Sequence, residues 1–456
     1  MNLLKNFINI TNRWKDSFHC LPTFKRAREI GIAVLCAPHP HVLTSIISVK
    51  NDLKQDWSSD YRFFSRSQWK EEDLFHPLIE ESLPYFEKSP YIIAGMDDSV
   101  LKKTGRRIQS ASFLRDPMSP AFHPNLIWGI RFIQISLTLP FYHFDAKKAP
   151  LGIPVRWTEA CVLKKPKKSA SPEEWEAFKQ KKKKINLSLQ FAREHKAFRA
   201  ALNQLGIKKS LLITVDGAAC TKLFLNNRER NQSDVVARCR SDIRLCFQVK
   251  HPKNKQHFYD PNPFTPEEVY KNEKIPWKTV EIFRAGKFRE CQYKAVRNVY
   301  WQSVLKKERL TLFVLKRTPY YARKGHLNFR EPAYLLCTNP NIESHIALQA
   351  YHDHSQIESN LKEEKSVIEI GKPQVRNNQS VHRQPAFFTA VYSALLLASL
   401  HSPHLICLPP WRGKVKRVGA RTLIKELKKE VFLQFFAIDD YKPPPHLFEL
   451  IFKMAC

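Results

Sequence analysis

YIIAGMDDSVL (Tyr91–Leu101) is the stretch on which the fold reading turns: a short apolar, strand-like run from Ile92 to Met96 leads into two acids, Asp97 and Asp98. Carboxylates at the end of a buried strand are costly unless they are paired, hydrogen-bonded or bound to a metal. LLITVDGAA (Leu211–Ala219) repeats the pattern, with Asp216 closing a second buried-type strand. Between them, NLIWGIRFIQISLTL (Asn125–Leu139) is long, rich in β-formers and apolar enough to lie centrally in a sheet. Strand ends of an α/β sheet are where sites usually form, so Asp97 and Asp216 are candidate site residues.

A third acid stands far along the chain, in YHDHSQIESNLKEEKSV (Tyr351–Val367), which reads as a helix. Tyr351, His354, Glu358 and Lys365 are offset by 3, 4 and 7 residues. At about 3.6 residues per turn, this spacing places all four on one face. Glu358 facing two strand-borne aspartates could hold two hard cations about 4 Å apart. Lys365 could then grip a phosphate or base nearby. His352 and Asp353 read as exposed helix-start residues.

Around these segments the texture changes several times. The first ~85 residues read as short helices, and HVLTSIISVKNDLKQDWSSDYRFFSRSQW (His41–Trp69) suits either a helix-turn-helix reader or a cap on the next domain. From Ser171 to Gly206 a single helix is expected, with Ser171 as N-cap, Pro172 in the first turn, Glu174 closing a capping box and Gly206 as the stop. Its Lys181–Lys184 run is a solvated face or a phosphate contact; LKKTGRR (Leu101–Arg107) reads as a basic hairpin turn, with phosphate contact open. Arg228 and Arg230 could contact DNA. From about Cys239 to Pro340, short strands alternate with turns, aromatics and basic residues, which reads as an inserted β-rich subdomain. A helical last third follows from Ile342. The whole suggests an α/β core interrupted by an insertion.

Composition sets the class of partner. The 456 residues carry 75 Lys plus Arg against 43 Asp plus Glu, a formal net charge of +32. Such an excess repels itself in a compact chain and points to a polyanion, with nucleic acid the expected one. A membrane surface is not expected, because no amphipathic anchor gathers the basic residues. The longest apolar stretch, Phe387–Leu400, is too short to span a bilayer and reads as a buried core helix. Met1–Cys20 has no secretory character, and the ten cysteines show no C-x-x-C pair or zinc spacing. Reduced thiols in a cytoplasmic protein are expected.

Tyr351, Glu358 and Lys365 match the signature Tyr, two residues, Arg, three residues, Glu, six residues, Lys. In this the chain resembles the DDE transposases of bacterial insertion sequences. Asp97-Asp98-Ser99 is similar to the family's D-x-T/S context for its first acid, which favours Asp97 over Asp98. LLITVD is similar to the strand before the second acid, and ARCRSDIRL (Ala237–Leu245) to the segment after it. HVLTSII and YRFFSRSQW resemble the leading domain of one branch, so the likeness runs from roughly residue 40 to 400. His354 departs from the signature's arginine, and an imidazole is shorter and only partly charged, so a phosphate contact there would be weaker.

The resemblance implies an RNase H-like α/β catalytic core with a β-rich insertion, preceded by a small helical domain and followed by C-terminal helices. Expected boundaries are 1–88 for a helical DNA-binding domain, 89–238 and 341–405 for the two parts of the core, 239–340 for the insertion and 406–456 for a helical tail. It further implies two Mg²⁺ (or Mn²⁺) ions on Asp97, Asp216 and Glu358, and DNA contacts from Tyr351, His354 and Lys365. The partners implied are double-stranded DNA, as terminal inverted repeats and target, and a second copy in a homodimeric synapse. The setting implied is a bacterial, nucleoid-associated protein. A decayed DNA-binding relic and an RNase H-like nuclease without strand transfer are the competing readings.

Overall fold

The computed structural model describes residues 2–50, 56–116, 119–120, 122–145, 149–249, 258–284, 286–323, 325–401 and 418–436. The chain opens with helices α1 (Leu3–Asn12), α2 (Leu21–Cys36), α3 (Leu43–Lys50), α4 (Ser58–Ser65) and α5 (His76–Ser82). Then come β1 (Ile92–Lys102), β2 (Ser112–Arg115), β3 (Leu126–Leu139) and β4 (Leu151–Glu159). β1 does not stop at its acids but runs through them to Lys102, so Asp97 lies within the strand and not at its end.

Helices α6 (Pro172–Lys184) and α7 (Leu187–Gln204) lead to β5 (Leu211–Val215). The single helix expected over this stretch is therefore two. Ser171 and Glu174 do form the capping box, and Gly206 ends α7 at φ +73°. The break falls at Asn186, whose side chain accepts the Ser188 amide and starts a new helix. Lys181–Lys184 form the exposed last turn of α6, where positive charge suits the helix C-terminus.

After β5 follow α8 (Lys222–Asn227), β6 (Ser233–Arg238), α9 (Pro266–Lys271), β7 (Lys278–Arg284), β8 (Lys287–Trp301) and β9 (Leu305–Leu315). A two-stranded ribbon, β10 (Thr318–Arg323) with β11 (His326–Arg330), precedes β12 (Ala333–Cys337). Helices α10 (Ser344–Asp353), α11 (Ser355–Ser366), α12 (Asn378–Leu400) and α13 (Ala420–Phe436) complete the described chain.

Ten strands form one mixed sheet along the path β2-β3-β1-β5-β6-β12-β9-β8-β7, with β4 also paired to β3. β1, β3 and β4 pair antiparallel, while β5 and β6 run parallel to β1. β3 has partners on both edges, as its apolar sequence predicts. Apart from the β10–β11 ribbon, the strands of residues 278–337 continue the sheet, because β12 hydrogen-bonds to β6 and β9 to β12.

α12 is the core helix expected from Phe387–Leu400, and its side chains are buried from Ser380 to Ala398 with few exceptions. Phe387 sits among Trp14, Phe63, Phe64 and Trp69, with ring centroids 5.2–6.2 Å away. The N-terminal helices therefore close their apolar faces on a helix from the far end of the chain. Among the described residues no helix is long and apolar enough to cross a membrane.

Several surface readings are overturned by burial. Lys103 of the basic turn is buried, with its Nζ donating to the Pro373 carbonyl at 2.9 Å. Arg228 is buried too, ion-paired with Glu308 and donating to the Leu225 carbonyl. Arg230 stays half exposed at 3.6 Å from the same glutamate.

Candidate active site

Strand register brings the two aspartates together. β1 and β5 lie side by side with Met96 opposite Val215, so the next residue on each chain is an acid. Asp97 and Asp98 then diverge, because successive strand residues point to opposite faces. Asp97 pairs with Gln134 of β3, whose amide donates to Glu364 of α11 at 2.6 Å. The Asp97 face is thus the one α11 covers. Asp98 turns to Arg131, with its Oδ2 3.5 Å from the guanidinium.

The helix carrying the third acid comes close to the sheet at two glycines. A Cβ on Gly95 of β1 would stand 3.3 Å from Ile357, and one on Gly152 of β4 only 2.5 Å from Asn360. This contact sets Glu358, in the first turn of α11, over the sheet near Asp97. Asp97, Asp216, Glu358 and Lys365 line one open cleft of about 450 Å³, with Arg115 and Arg131 on its wall.

Four acids, Asp97, Asp98, Asp216 and Glu358, line the cleft with four bases, Arg115, Arg131, Lys362 and Lys365. Burial, followed by the nearby Asp216, pushes the Asp97 carboxyl up to about 7, with Asp98 and Glu358 adding to the rise. Asp216 is exposed, and its Oδ1 accepts the amides of Ala218 and Ala219 at 3.0 and 3.2 Å, which fixes the carboxylate at the strand end. Lys365 is lowered by burial against the opposing pull of Glu364, Asp97 and Asp98. All the carboxylate oxygens offered are hard donors, the set that Mg²⁺ and Mn²⁺ prefer.

The other two signature residues lie elsewhere. The expected single helix breaks at His354, so Tyr351 belongs to α10 while Glu358 and Lys365 belong to α11. Tyr351 lines an adjoining cavity of about 290 Å³ that meets the cleft at Asp216 and Glu358. His354 is only 8% exposed, shares a hydrogen bond between Nδ1 and Thr214 Oγ1 at 3.0 Å, and is pushed down to about 4 by burial. Its ring is therefore neutral and wedged over β5, not presented with Lys365 on an open face. Burial, with Arg284 and Arg330 nearby, likewise pushes His352 down to about 4.

Asp353 is not an exposed helix-start residue. It ends α10 fully enclosed, accepts Tyr142 Oη and the Gln349 amide at 2.8 Å each, and is pushed up to about 7 by burial. Residues that no motif marked also enter the site. Arg238, Arg284, Lys316 and Arg330 line the adjoining cavity, contributed by β6 and by the β-rich segment. Their only sequence signal was basic residues interleaved with aromatics, which does not say where the strands bring them.

No family model and no curated protein matches the sequence. Among solved structures, the chain is similar to that of a piggyBac transposase synaptic complex with hairpin DNA, at a TM-score of 0.36 and 11% identity, over 99% of this chain and 81% of that one. At that TM-score the likeness bears on neither the fold nor the activity.

Proposed function

We propose that this chain is a DDE-type DNA transposase, cutting at the ends of an insertion sequence and joining them to target DNA. The observation that carries the reading is the convergence of Asp97, Asp216 and Glu358, from β1, the end of β5 and α11, on one cleft walled by cations. An RNase H-like core is supported by the strand order β4-β3-β1-β5-β6, three antiparallel strands followed by two parallel ones. The insertion-sequence origin rests on the spacing of Tyr351, Glu358 and Lys365.

Asp97, Asp216 and Glu358 would hold two Mg²⁺ or Mn²⁺ ions, and the raised proton affinity of Asp97, due first to burial and then to Asp216, Asp98 and Glu358, is what an enclosed group of anions produces. When bound, such ions lower the barrier to in-line phosphoryl transfer by activating the attacking oxygen and steadying the leaving one. The chain's own residues do the rest. Asp216 is pre-oriented by two backbone amides, so little order is lost on binding a ligand. Lys365, Arg115 and Arg131 neutralise the phosphate entering the cleft. Tyr351 bounds the adjoining basic cavity, where the DNA flanking the scissile phosphate would lie. His354, neutral and buried, acts by packing α11 against β5 and supplies no charge to DNA. The substrate is double-stranded DNA, held by a homodimer that pairs two ends, in a cytoplasmic, nucleoid-associated setting.

The test is cleavage of labelled DNA bearing the element's own ends, in Mg²⁺ or Mn²⁺, by wild type and Glu358→Gln. Cutting and strand transfer by wild type, with binding but no cutting by the variant, is the expected result. Cutting without joined products would leave a nuclease, and binding without cutting a decayed relic. Equal cutting by both proteins would remove Glu358 from the site.

A further inference from the structure

The outer end of the β2–β3 pair carries an aromatic and basic surface that the cleft does not use. Phe113 is 58% exposed and pairs across the strands with Trp128, ring centroids 5.1 Å apart. The guanidinium of Arg106 lies over both rings, 5.2 Å from Phe113 and 5.1 Å from Trp128. Lys164 approaches the Trp128 ring from another segment, at 5.9 Å. Trp128 is anchored through its indole N–H to the Gly105 carbonyl at 3.0 Å, so the edge-to-face pair, at an interplanar angle of 65°, is held in place before any ligand arrives. Leu126, 65% exposed, lies opposite Arg115 on the same face.

Strand alternation ties this surface to the cleft. Trp128 and Gln134 lie on one face of β3, an even number of residues apart, and Gln134 is the cross-strand partner of Asp97. The aromatic pair and Asp97 therefore share a face of the sheet. At about 3.3 Å per residue they are separated by roughly 20 Å of strand. That is about six nucleotides at B-form spacing of ~3.4 Å. Arg115, beside the pair on β2, already lines the cleft and bridges the interval. The nearby acid Asp116 is ion-paired with Lys102 at 3.7 Å, which leaves the surface basic.

We infer that Phe113, Trp128 and Arg106 form a stacking platform for unpaired bases of the DNA strand that leaves the cleft. The inference rests on the DNA-cutting reading above. Exposed rings backed by a guanidinium stack on the faces of bases, and a duplex hides those faces. A strand freed by cutting offers them about one half-turn of helix away from the scissile phosphate.

The experiment compares the affinity of the full chain, in EDTA at fixed salt, for a duplex with a single-stranded overhang and for a blunt duplex of the same length. The Phe113→Ala variant should lose about 5- to 100-fold for the overhang DNA, the effect of one base–aromatic stack, and nothing for the blunt DNA. Phe113→Trp should keep the overhang affinity, which separates lost stacking from lost folding. Equal losses on both DNAs, or no loss on either, would overturn the platform while leaving the cleft intact. A change in oligomeric state with unchanged DNA affinity would assign the surface to contact between copies and also overturn it. Failure of wild type to bind either DNA would remove the DNA-cutting reading itself, and the platform with it.

Discussion

Replacing Gly152 by alanine tests whether α11 is seated as closely on the sheet as the site requires. An added Cβ would lie 2.5 Å from Asn360 Nδ2 and 3.1 Å from Gln356 Cβ, where an ordinary contact begins at 3.4 Å. Both neighbours belong to α11; Asn360 is fully buried and the Gln356 atom is a Cβ fixed to the helix backbone, so neither can swing away. Overpacking of this kind costs about 1–3 kcal/mol. Alanine in a strand regains roughly 0.5–1 kcal/mol over glycine, which leaves a net loss of about 1–2 kcal/mol. Asn360→Ala alone should also destabilise, since Asn360 donates to Ser136 Oγ at 3.3 Å and accepts from Tyr392 Oη at 3.4 Å. The double variant gives the new methyl the space the amide vacates, so its loss should fall short of the sum by about 1 kcal/mol or more. Urea unfolding followed by tryptophan fluorescence reads this from midpoint shifts at constant slope. Losses that add within ~0.5 kcal/mol would show that Gly152 and Asn360 do not meet, and the seating of Glu358 would lose its basis.

Phe387→Ala should cost about 3–5 kcal/mol, because the ring is enclosed by Trp14, Phe63, Phe64 and Trp69; a loss below 1 kcal/mol in the same assay would break the link between α12 and the N-terminal helices. Burial pushes Glu364 up to about 8, so the folded chain keeps a proton that an unfolded glutamate loses near 4.3. That contribution is complete below about pH 4.3 and is lost steadily until pH reaches about 8, so Glu364→Gln should gain stability relative to wild type between about pH 5 and 8 and no further above it. A relative loss over that range would refute the assignment. Asp97, held up to about 7, must release its proton to bind a cation, so Mn²⁺ affinity should climb from pH 6 to 8 and then level; a flat profile would show that Asp97 is ionised throughout.

The parts of the site legible in the sequence were those whose chemistry is local. Two apolar runs ending in acids mark Asp97 and Asp216, and the apolar Phe387–Leu400 stretch marks a buried helix. Ser171, Glu174 and Gly206 fixed the outer ends of the α6–α7 pair for the same reason, since capping is decided within a turn. What depended on distant partners was not legible. Pairing of Met96 with Val215 sets the aspartates side by side, yet nothing in either strand names the other. The helices divide at His354, which meets Thr214 far away in sequence, and the division separates Tyr351 from Glu358 and Lys365. Lys103, Arg228 and Asp353 are charged residues that composition assigns to the surface. Each is enclosed because a carbonyl, a glutamate or a tyrosine from elsewhere meets it.

The central claim is that Asp97, Asp216 and Glu358 act as one metal centre, and Mn²⁺ titration by calorimetry tests it without needing to know the DNA sequence recognised. The wild-type chain at pH 8 should bind Mn²⁺, and Glu358→Gln, which keeps the shape and removes the charge, should bind it at least about tenfold more weakly. Superimposable isotherms for the two proteins, or no heat of binding from the wild type, would contradict the account.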